Sequence, residues 1–328
     1  MNGHGLPGEE RDLARRATIV GRLVLYGITV LAFFFAAAAT LSALYLLTPL
    51  SDNETFLLWY RVALAGTWLS FLFDFFMLFV VCRFMVPPRD YAFKPLAGAR
   101  VHVALTAWND EDCIGDAVRE FKARPEAHKV IVVENNSTDR TREIAEAAGA
   151  DAVITETVPG YGSCCMRALA EAAEGADVII LCEGDMTFSA GDIPKLLAYL
   201  ENCDLVLGTR ATQELRESRT QMDWLINPAN QVVAKLIQAR FWGTRLTDVG
   251  CTYRAMRVPS YLRIKDRLYV QGNHFSPHMY MEALKRRKRV IEIPVVFRHR
   301  EGVSKGVGSD KWKAAKVALR MLGLLYRA

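Results

Sequence analysis

Between Leu23 and Leu47 the chain carries no charged residue, and a helix of that length crosses a bilayer. Any fold proposed for this sequence has to accommodate that run. A second apolar run, Val62 to Cys82, follows and is interrupted only by Asp74. The small residues Ala36 to Ala39 imitate a signal-peptide cleavage site, but the run is too long for a signal core and another span comes directly after it. Two retained membrane helices are therefore expected. Asp74 is expected either as a carboxyl tucked between the helices or as a contact to a lipid head group or partner helix.

The flanks give an orientation. Arg11, Arg15, Arg16 and Arg22 precede the first run, and Arg83, Arg89, Lys94 and Arg100 follow the second. The connection between them carries Asp52, Glu54 and only Arg61. Positive residues stay cytoplasmic, so both termini and everything after residue 86 are expected in the cytoplasm. Asn53-Glu54-Thr55 spells a glycosylation sequon, a pattern common by chance. The net charge of +5 comes mostly from these flanks and the C-terminal third, and gives no reason to expect a nucleic-acid partner. Seven scattered cysteines without a CxxC pair fit a reducing compartment.

After Pro87-Pro88 and Pro95 the pattern changes. Apolar runs rich in β-branched residues occur at 101–105, 130–133, 152–154, 178–181 and 205–207, with helix-like stretches at 111–123, 139–149, 163–174 and 192–201. Continuous apolar strands alternating with helices indicate an α/β fold with a parallel sheet covered on both faces. Such sheets bind ligands beyond the carboxyl ends of their strands. Polar residues gather there: Thr106 to Glu111, Glu134 to Asp139, Pro159-Gly160-Tyr161-Gly162, and Glu183-Gly184-Asp185. Gly160-Tyr161-Gly162 lacks the third glycine of a dinucleotide loop, and no Walker A, HExxH or GxSxG sequence is present.

Glu183 and Asp185 are one residue apart at a strand exit, so both carboxylates can face one spot. Three explanations compete: helix capping with solvation, paired acid–base chemistry of the glycosidase kind, and a divalent-cation site. Hard cations take carboxylate and phosphate oxygens, and a cation would relieve the repulsion between the pair.

The ordered set TAWNDE, VVENNSTDRT, PGYG, CEGDMTF, LTDVGCTYRAMR and EIPVVFRHREGVSKG resembles the family 2 glycosyltransferases, in particular the dolichyl- and polyprenyl-phosphate sugar synthases, over roughly residues 100–305. The resemblance implies the GT-A fold (Rossmann-like, mostly parallel), inverting transfer from a UDP- or GDP-linked nucleotide sugar, and bound Mg²⁺ or Mn²⁺. Together with the apolar runs and prolines it gives an expected division into a cytoplasmic tail (1–22), a two-helix transmembrane hairpin (23–86), a linker (87–99), the GT-A domain (100–305) and an amphipathic C-terminal helix (306–328). By the same resemblance Glu183 and Asp185 fall on the family's Asp-x-Asp metal motif, with Thr187 where relatives supply a third ligand. Thr106, Trp108, Asp110, Glu134, Asn135, Gly162 and Gly184 fall on the donor side, with Asn135 where an acidic residue is usual. Asp248 opens the stretch lining the acceptor side, and Asp185, Asp248 and Arg254 are the expected catalytic residues. His278 stands where relatives often have Glu.

A polyprenyl phosphate, of the undecaprenyl or dolichyl type, is already an anion and could attack the sugar without a strong base. Arg210, Arg254, Arg300 and Lys305 are the expected partners of that phosphate, because guanidinium forks match its oxygens. Arg298 is expected to be a solvated surface residue. Gly302 to Gly306 is expected to be a loop closing over the donor. From Lys311 onward, Trp312, Ala315, Leu319, Leu322 and Tyr326 form one stripe beside Lys313, Lys316, Arg320 and Arg327. That pattern suits an anionic membrane surface or packing on the domain itself. A homo-oligomer is compatible with the pattern.

Three rivals remain. A processive polysaccharide synthase would carry Gln-x-x-Arg-Trp, whereas Gln238-Ala239-Arg240-Phe241-Trp242 has those residues in another order. A transferase to a hydroxyl of a lipid-linked saccharide would need Asp248 as its base. A non-catalytic nucleotide-sugar-binding scaffold would explain the departures at Glu183, Asn135 and His278.

Overall fold

The uncharged run forms a helix, and it extends well beyond the run. In this computed structural model α1 spans Gly8–Leu47, and α2 spans Glu54–Phe76 and continues as a π-helical turn over Met77–Val81. The structure describes residues 8–48, 53–81, 91–217, 220, 226–241, 245–300 and 311–328. Lys305, the 302–306 loop and Pro87-Pro88 lie outside the described residues. The second span starts earlier than expected because Asn53 caps it, accepting the Phe56 amide at 3.0 Å, with Glu54 in the first turn. Glu54 and Arg61 therefore belong to the helix and not to the connection, and the sequon asparagine is engaged in the cap.

Two compact units result: Met1–Arg89 with Gln238–Gly243, and Asp90–Ile237 with Thr244–Ala328. In the first, two helices are long and apolar enough to cross a membrane, over Arg15–Leu47 and Glu54–Phe79. Phe33, Phe35, Leu46, Trp68 and Leu69 point outward, a surface suited to lipid rather than water. Asp74 is buried between the helices, where Gly27 leaves room for it: a Cβ there would meet Asp74 Oδ1 at 2.0 Å.

The second unit is built on a seven-stranded sheet of order β3-β2-β1-β4-β6-β5-β7. Its elements are β1 (Val101–Ala107), α3 (Ile114–Lys122), β2 (Ala127–Glu134), α4 (Thr141–Ala147), β3 (Ala152–Thr155), α5 (Tyr161–Ala173), β4 (Val178–Glu183), α6 (Ile193–Leu200), β5 (Leu205–Thr209), α7 (Ile226–Phe241, whose residues from Gln238 on belong to the first unit), β6 (Arg254–Arg257), α8 (Val258–Leu262), α9 (Phe275–Lys285), β7 (Val290–Pro294) and α10 (Lys311–Arg327). β1 is buried along its whole length, flanked in parallel by β2 and β4. Core side chains such as Val103, Leu105, Ile114, Phe121, Ile180 and Tyr253 are withdrawn from water, which supplies the main driving force.

The five expected strands all form. β6 and β7 escaped the sequence reading: β6 is four residues, RAMR, whose terminal arginines hide any strand period. β6 runs antiparallel to β4 and β5, so the sheet is mostly rather than wholly parallel. That reversal carries the segment before Arg254 to the edge where β1, β2 and β4 end. At the other end of the chain, α10 packs on α9 through Met321, Leu324 and Leu325, which are buried. Of the expected apolar stripe, Leu319 is 67% exposed and Tyr326 38% exposed, while Leu322 is half-buried.

Candidate active site

Three strand exits turn through left-handed residues: Asn109 (φ 52°) after β1, Asn136 (φ 57°) after β2 and Met186 (φ 63°) after β4. Asparagine tolerates this region, whereas Met186 pays strain there, a feature that concentrates at functional loops. The exits are then tied together. Asn109 Oδ1 accepts the Thr138 amide at 2.7 Å, and the Asp110 amide donates to Thr141 Oγ1 at 2.7 Å. Glu134 is buried and accepts the Ser137 amide at 2.7 Å and the Thr155 hydroxyl.

Asn135 explains its own departure from an acidic residue. Its Nδ2 donates to the carbonyls of Glu156 (2.7 Å) and Val158 (2.8 Å), while Oδ1 accepts the Gly160 amide at 2.8 Å. A carboxylate could not donate to those carbonyls, so the amide holds the third loop against the second. The glycines of that loop permit close backbone contact. Gly160 sits at φ 127°, and a Cβ on Gly162 would come within 2.0 Å of the Val270 carbonyl oxygen.

The carboxylate pair lies at the centre. Thr106 accepts the Gly184 amide at 2.9 Å on its carbonyl, and its hydroxyl faces the Cys182 carbonyl. Gly184 must be small because a Cβ there would meet Ile114 Cδ1 at 2.5 Å. Glu183 Oε1 accepts the Thr252 hydroxyl at 2.6 Å and the Tyr161 hydroxyl at 3.2 Å, and those two hydroxyls also contact each other. Both hydrogen bonds fall on Oε1, so among the described residues Oε2 is left to the site. Asp185 is 2% exposed. Its Oδ1 accepts the Thr187 amide (3.1 Å) and hydroxyl (2.5 Å), and its Oδ2 stands 3.4 Å from Arg300 Nε. Burial, then the neighbouring Glu183, push the Asp185 carboxyl up to about 6 against the pull of Arg300 and Thr187.

Arg300 bridges to the loop after β1. Its Nη2 donates to Asp110 Oδ1 at 3.1 Å, and Asp110 Oδ2 in turn accepts the Trp108 amide at 2.9 Å. Trp108 itself is 48% exposed, an aromatic side chain at the rim.

The acceptor-side arginines are placed differently from expectation. Arg254 is 1% exposed, and its guanidinium is spent on the carbonyls of Thr252 (2.9 Å) and Cys251 (2.5 Å) and on Ser276 Oγ (2.8 Å). In this arrangement it braces the start of β6 from within, its guanidinium taken up by these partners. Arg210 clasps Asp248 with two bonds, Nε to Oδ2 at 2.7 Å and Nη2 to Oδ1 at 2.9 Å. Asp248 also accepts the Gly250 amide and Asn230 Nδ2. Burial raises the Asp248 carboxyl, but the Arg210 charge and hydrogen bonds outweigh it and hold it below the usual carboxylate range. Arg298, expected on the solvated surface, forms a two-bond ion pair with Glu120 (2.7 and 3.1 Å). His278 is buried, with Nε2 3.0 Å from the Arg267 carbonyl oxygen and 3.4 Å from the Tyr269 amide.

Tyr161, Thr252 and Glu292 were not singled out from sequence. Glu292 accepts the Thr247 and Asp248 amides at 2.8–3.0 Å and thereby fixes the loop that presents Asp248. Tyr161 and Thr252 lay inside the PGYG and TDVGCTYR motifs, where residue type alone could have marked them. Among the described residues no group of three or more His, Cys, Asp or Glu converges on one point. The oxygen donors of Glu183 and Asp185 nonetheless suit a hard cation whose remaining ligands come from a diphosphate. A cleft of about 430 Å³ lined by Leu96, Asp177, Arg257 and Pro259 lies at the opposite end of the strands and is separate from this site.

A family model described as Glycosyl transferase family 2 matches residues 102–264, which takes in each of these strand-end loops except the one carrying Arg300. The chain belongs to the family 2 glycosyltransferases. An uncharacterized glycosyltransferase of Mycobacterium tuberculosis is 36% identical over 116 residues, 35% of this chain and 50% of the relative. The chain thus spans about half the length of that curated relative. The undecaprenyl-phosphate mannosyltransferase of Micrococcus luteus is 25% identical over 222 residues, 64% of this chain and 88% of the relative. Among solved structures, glucosyl-3-phosphoglycerate synthase from Mycobacterium tuberculosis, in complex with Mn2+, UDP-glucose and phosphoglyceric acid, shares the fold. Its TM-score is 0.54 at 16% identity, covering 70% of this chain and 81% of that one. This family 2 glycosyltransferase therefore has the GT-A architecture that its motifs implied.

Proposed function

We propose that this glycosyltransferase is membrane-bound and moves a sugar, with inversion, from a UDP- or GDP-linked donor to a polyprenyl phosphate. The observation that carries the acceptor assignment is the Arg210–Asp248 pair. A hydroxyl acceptor needs a base, and the expected base is buried, ion-paired and held below the usual carboxylate range. A phosphate acceptor needs none. The likeness to an undecaprenyl-phosphate mannosyltransferase supports the same acceptor class.

On this reading Trp108, Asp110, Glu134 and Asn135 shape the donor's nucleoside pocket, and Thr106, Gly162 and Gly184 hold its walls at the right spacing. Glu183 and Asp185, with Thr187 supporting Asp185, hold Mg²⁺ or Mn²⁺; solved relatives of the same fold contain Mn2+ and UDP. When bound, that cation neutralises the departing diphosphate. Arg300 lies beside both Asp110 and Asp185 and is, among the described cations, the one best placed to meet phosphate oxygens on either side of the transfer. α1 and α2 cross the membrane with both termini and the second unit cytoplasmic, which gives access to a nucleotide sugar. The exposed part of the α10 stripe, flanked by Lys316 and Arg320, adds a surface for anionic lipid.

The test is direct. Membranes containing the protein, supplied in turn with UDP- and GDP-linked radiolabelled sugars and polyprenyl phosphate, should transfer label to organic-extractable lipid for one donor. Label absent from lipid for every donor, with the protein intact, would overturn the assignment.

A further inference from the structure

Arg240, near the end of α7, is 2% exposed, yet its Nε and Nη2 have no hydrogen-bond partner among the described residues. A buried guanidinium ordinarily finds acceptors, because bare polar groups out of water cost free energy. These two atoms form the side-on fork of the group. Arg210 uses the same two atoms to clasp both oxygens of Asp248 at 2.7 and 2.9 Å. Arg240 presents the same fork without a two-oxygen partner.

Its surroundings add positive charge. Arg240 belongs to the same unit as α1 and α2. It lies against Gly21, where a Cβ would come within 1.9 Å of the Arg240 carbonyl oxygen and 3.0 Å of Nη1. Burial first, and the like charge of Arg22 second, push the guanidinium down to about 10. The Phe241 ring, 4.9 Å away, compensates only with its π face. Asp74 does not fill the fork: it lies against Gly27, about 9 Å further along α1 by helical rise, and both its oxygens lack partners among the described residues. Gly21 and Arg22 also border the uncharged part of α1, which begins at Leu23. Bilayer phosphates would lie at that level.

We propose that Arg240 and Arg22 form a binding site for the phosphate head group of a lipid at the cytoplasmic foot of the helix pair. The fork takes two phosphate oxygens and Arg22 supplies a second positive charge. Both fork atoms are out of water in this state, so side chains over them move to admit the phosphate. The inference rests on α1 and α2 crossing the membrane and is independent of which donor or acceptor is used.

Full-length protein in a neutral detergent would be melted with decyl phosphate, with phosphatidylglycerol and with inorganic phosphate. Wild type is expected to melt higher with decyl phosphate, phosphatidylglycerol or both, and to respond far less to inorganic phosphate. Arg240→Met should melt higher than wild type without ligand, having lost an unpaired buried charge. It should bind the lipid phosphate roughly ten- to a hundredfold more weakly. Arg22→Gln, a change at an exposed residue, should weaken binding by a smaller factor and keeps the test available if the first variant does not fold. Equal ligand shifts in wild type and Arg240→Met would overturn the site, and inorganic phosphate acting as strongly as decyl phosphate would overturn its lipid nature. Extraction of the protein from membranes at alkaline pH would instead refute the spans themselves, which separates the two failures.

Discussion

Arg300 engages two carboxylates of the site at once: Nη2 lies 3.1 Å from Asp110 Oδ1, and Nε lies 3.4 Å from Asp185 Oδ2. The first contact is a hydrogen bond, whereas Nε makes none and meets Asp185 only as a charge. If Asp185 holds a metal as proposed, the guanidinium would compete with it for that carboxylate. Arg300→Ala should tighten metal binding, read as a lower half-saturating Mn²⁺ concentration, and yet lower turnover roughly ten- to a hundredfold through the lost charge-assisted contact. A variant that loses turnover with unchanged metal dependence would show that Arg300 does not act on Asp185.

Asp185→Asn removes a charged oxygen donor while keeping the shape. Transfer should fall to background, a chelator should reproduce that loss in wild type, and added Mg²⁺ or Mn²⁺ should restore wild type alone. Full activity in chelator would exclude a metal-dependent transfer.

Thr252 and Tyr161 hold Glu183 by Oε1 and so aim Oε2. Thr252→Val keeps the volume and deletes the donor, which costs about 1 kcal/mol of stability. Metal half-saturation should rise several-fold, and Thr252→Ser should recover it. Equal values in all three proteins would mean that Glu183 takes its position from the backbone alone.

Much of this was legible from residue order, for identifiable reasons. Continuous apolar strands such as VIIL announce themselves, and polar residues at their ends mark the ligand edge without any knowledge of side-chain direction. What stayed hidden was which polar groups face each other. Arg254 and Arg300 look equivalent as arginines within motifs, but β6 runs antiparallel through the sheet and turns Arg254 into the interior, where backbone carbonyls consume it. Asp248 looks like a base until Arg210 is found clasping it from β5's exit, across a sequence separation of 38. Helix α10 illustrates the same limit: its amphipathic stripe was visible, yet Leu319 and Tyr326 of that stripe are exposed while Met321, Leu324 and Leu325 are buried.

Asp248→Asn discriminates between a base and a brace. Removing one partner of a buried ion pair leaves Arg210 unpaired and should cost about 3–5 kcal/mol in denaturant unfolding. A catalytic base would instead show a large loss in rate at unchanged stability. The acid limb gives a second check. Because the folded-state carboxyl is depressed, its contribution to stability is present above the ordinary value of 3.8 and is lost as pH falls toward the depressed one. The Asn variant should lack that acid-dependent component.

The topology expected from the flanking charges is tested by labelling. Single cysteines introduced at 1–20 or 100–328 should react only after permeabilisation of cytoplasm-sealed cells, and those at 50–58 should react without it. A second unit labelled from outside would separate the enzyme from cytoplasmic nucleotide sugars and exclude the proposed donor.

The nature of the new bond separates the two acceptors most cleanly, because it depends on product chemistry rather than on rates. A sugar carried by a polyprenyl monophosphate is a glycosyl phosphate, whose anomeric carbon bears a good leaving group. Mild acid should release the labelled sugar from the lipid within the time that leaves ordinary glycosidic bonds intact. A sugar transferred to a hydroxyl of a lipid-linked saccharide would stay attached to its neighbouring sugar under the same treatment, even if the whole saccharide left the lipid. Acid release of free labelled monosaccharide agrees with an enzyme whose expected base is held by Arg210. Release of label only as a larger saccharide would assign a hydroxyl acceptor, require a base other than Asp248, and leave the GT-A fold and the Glu183–Asp185 pair as they stand.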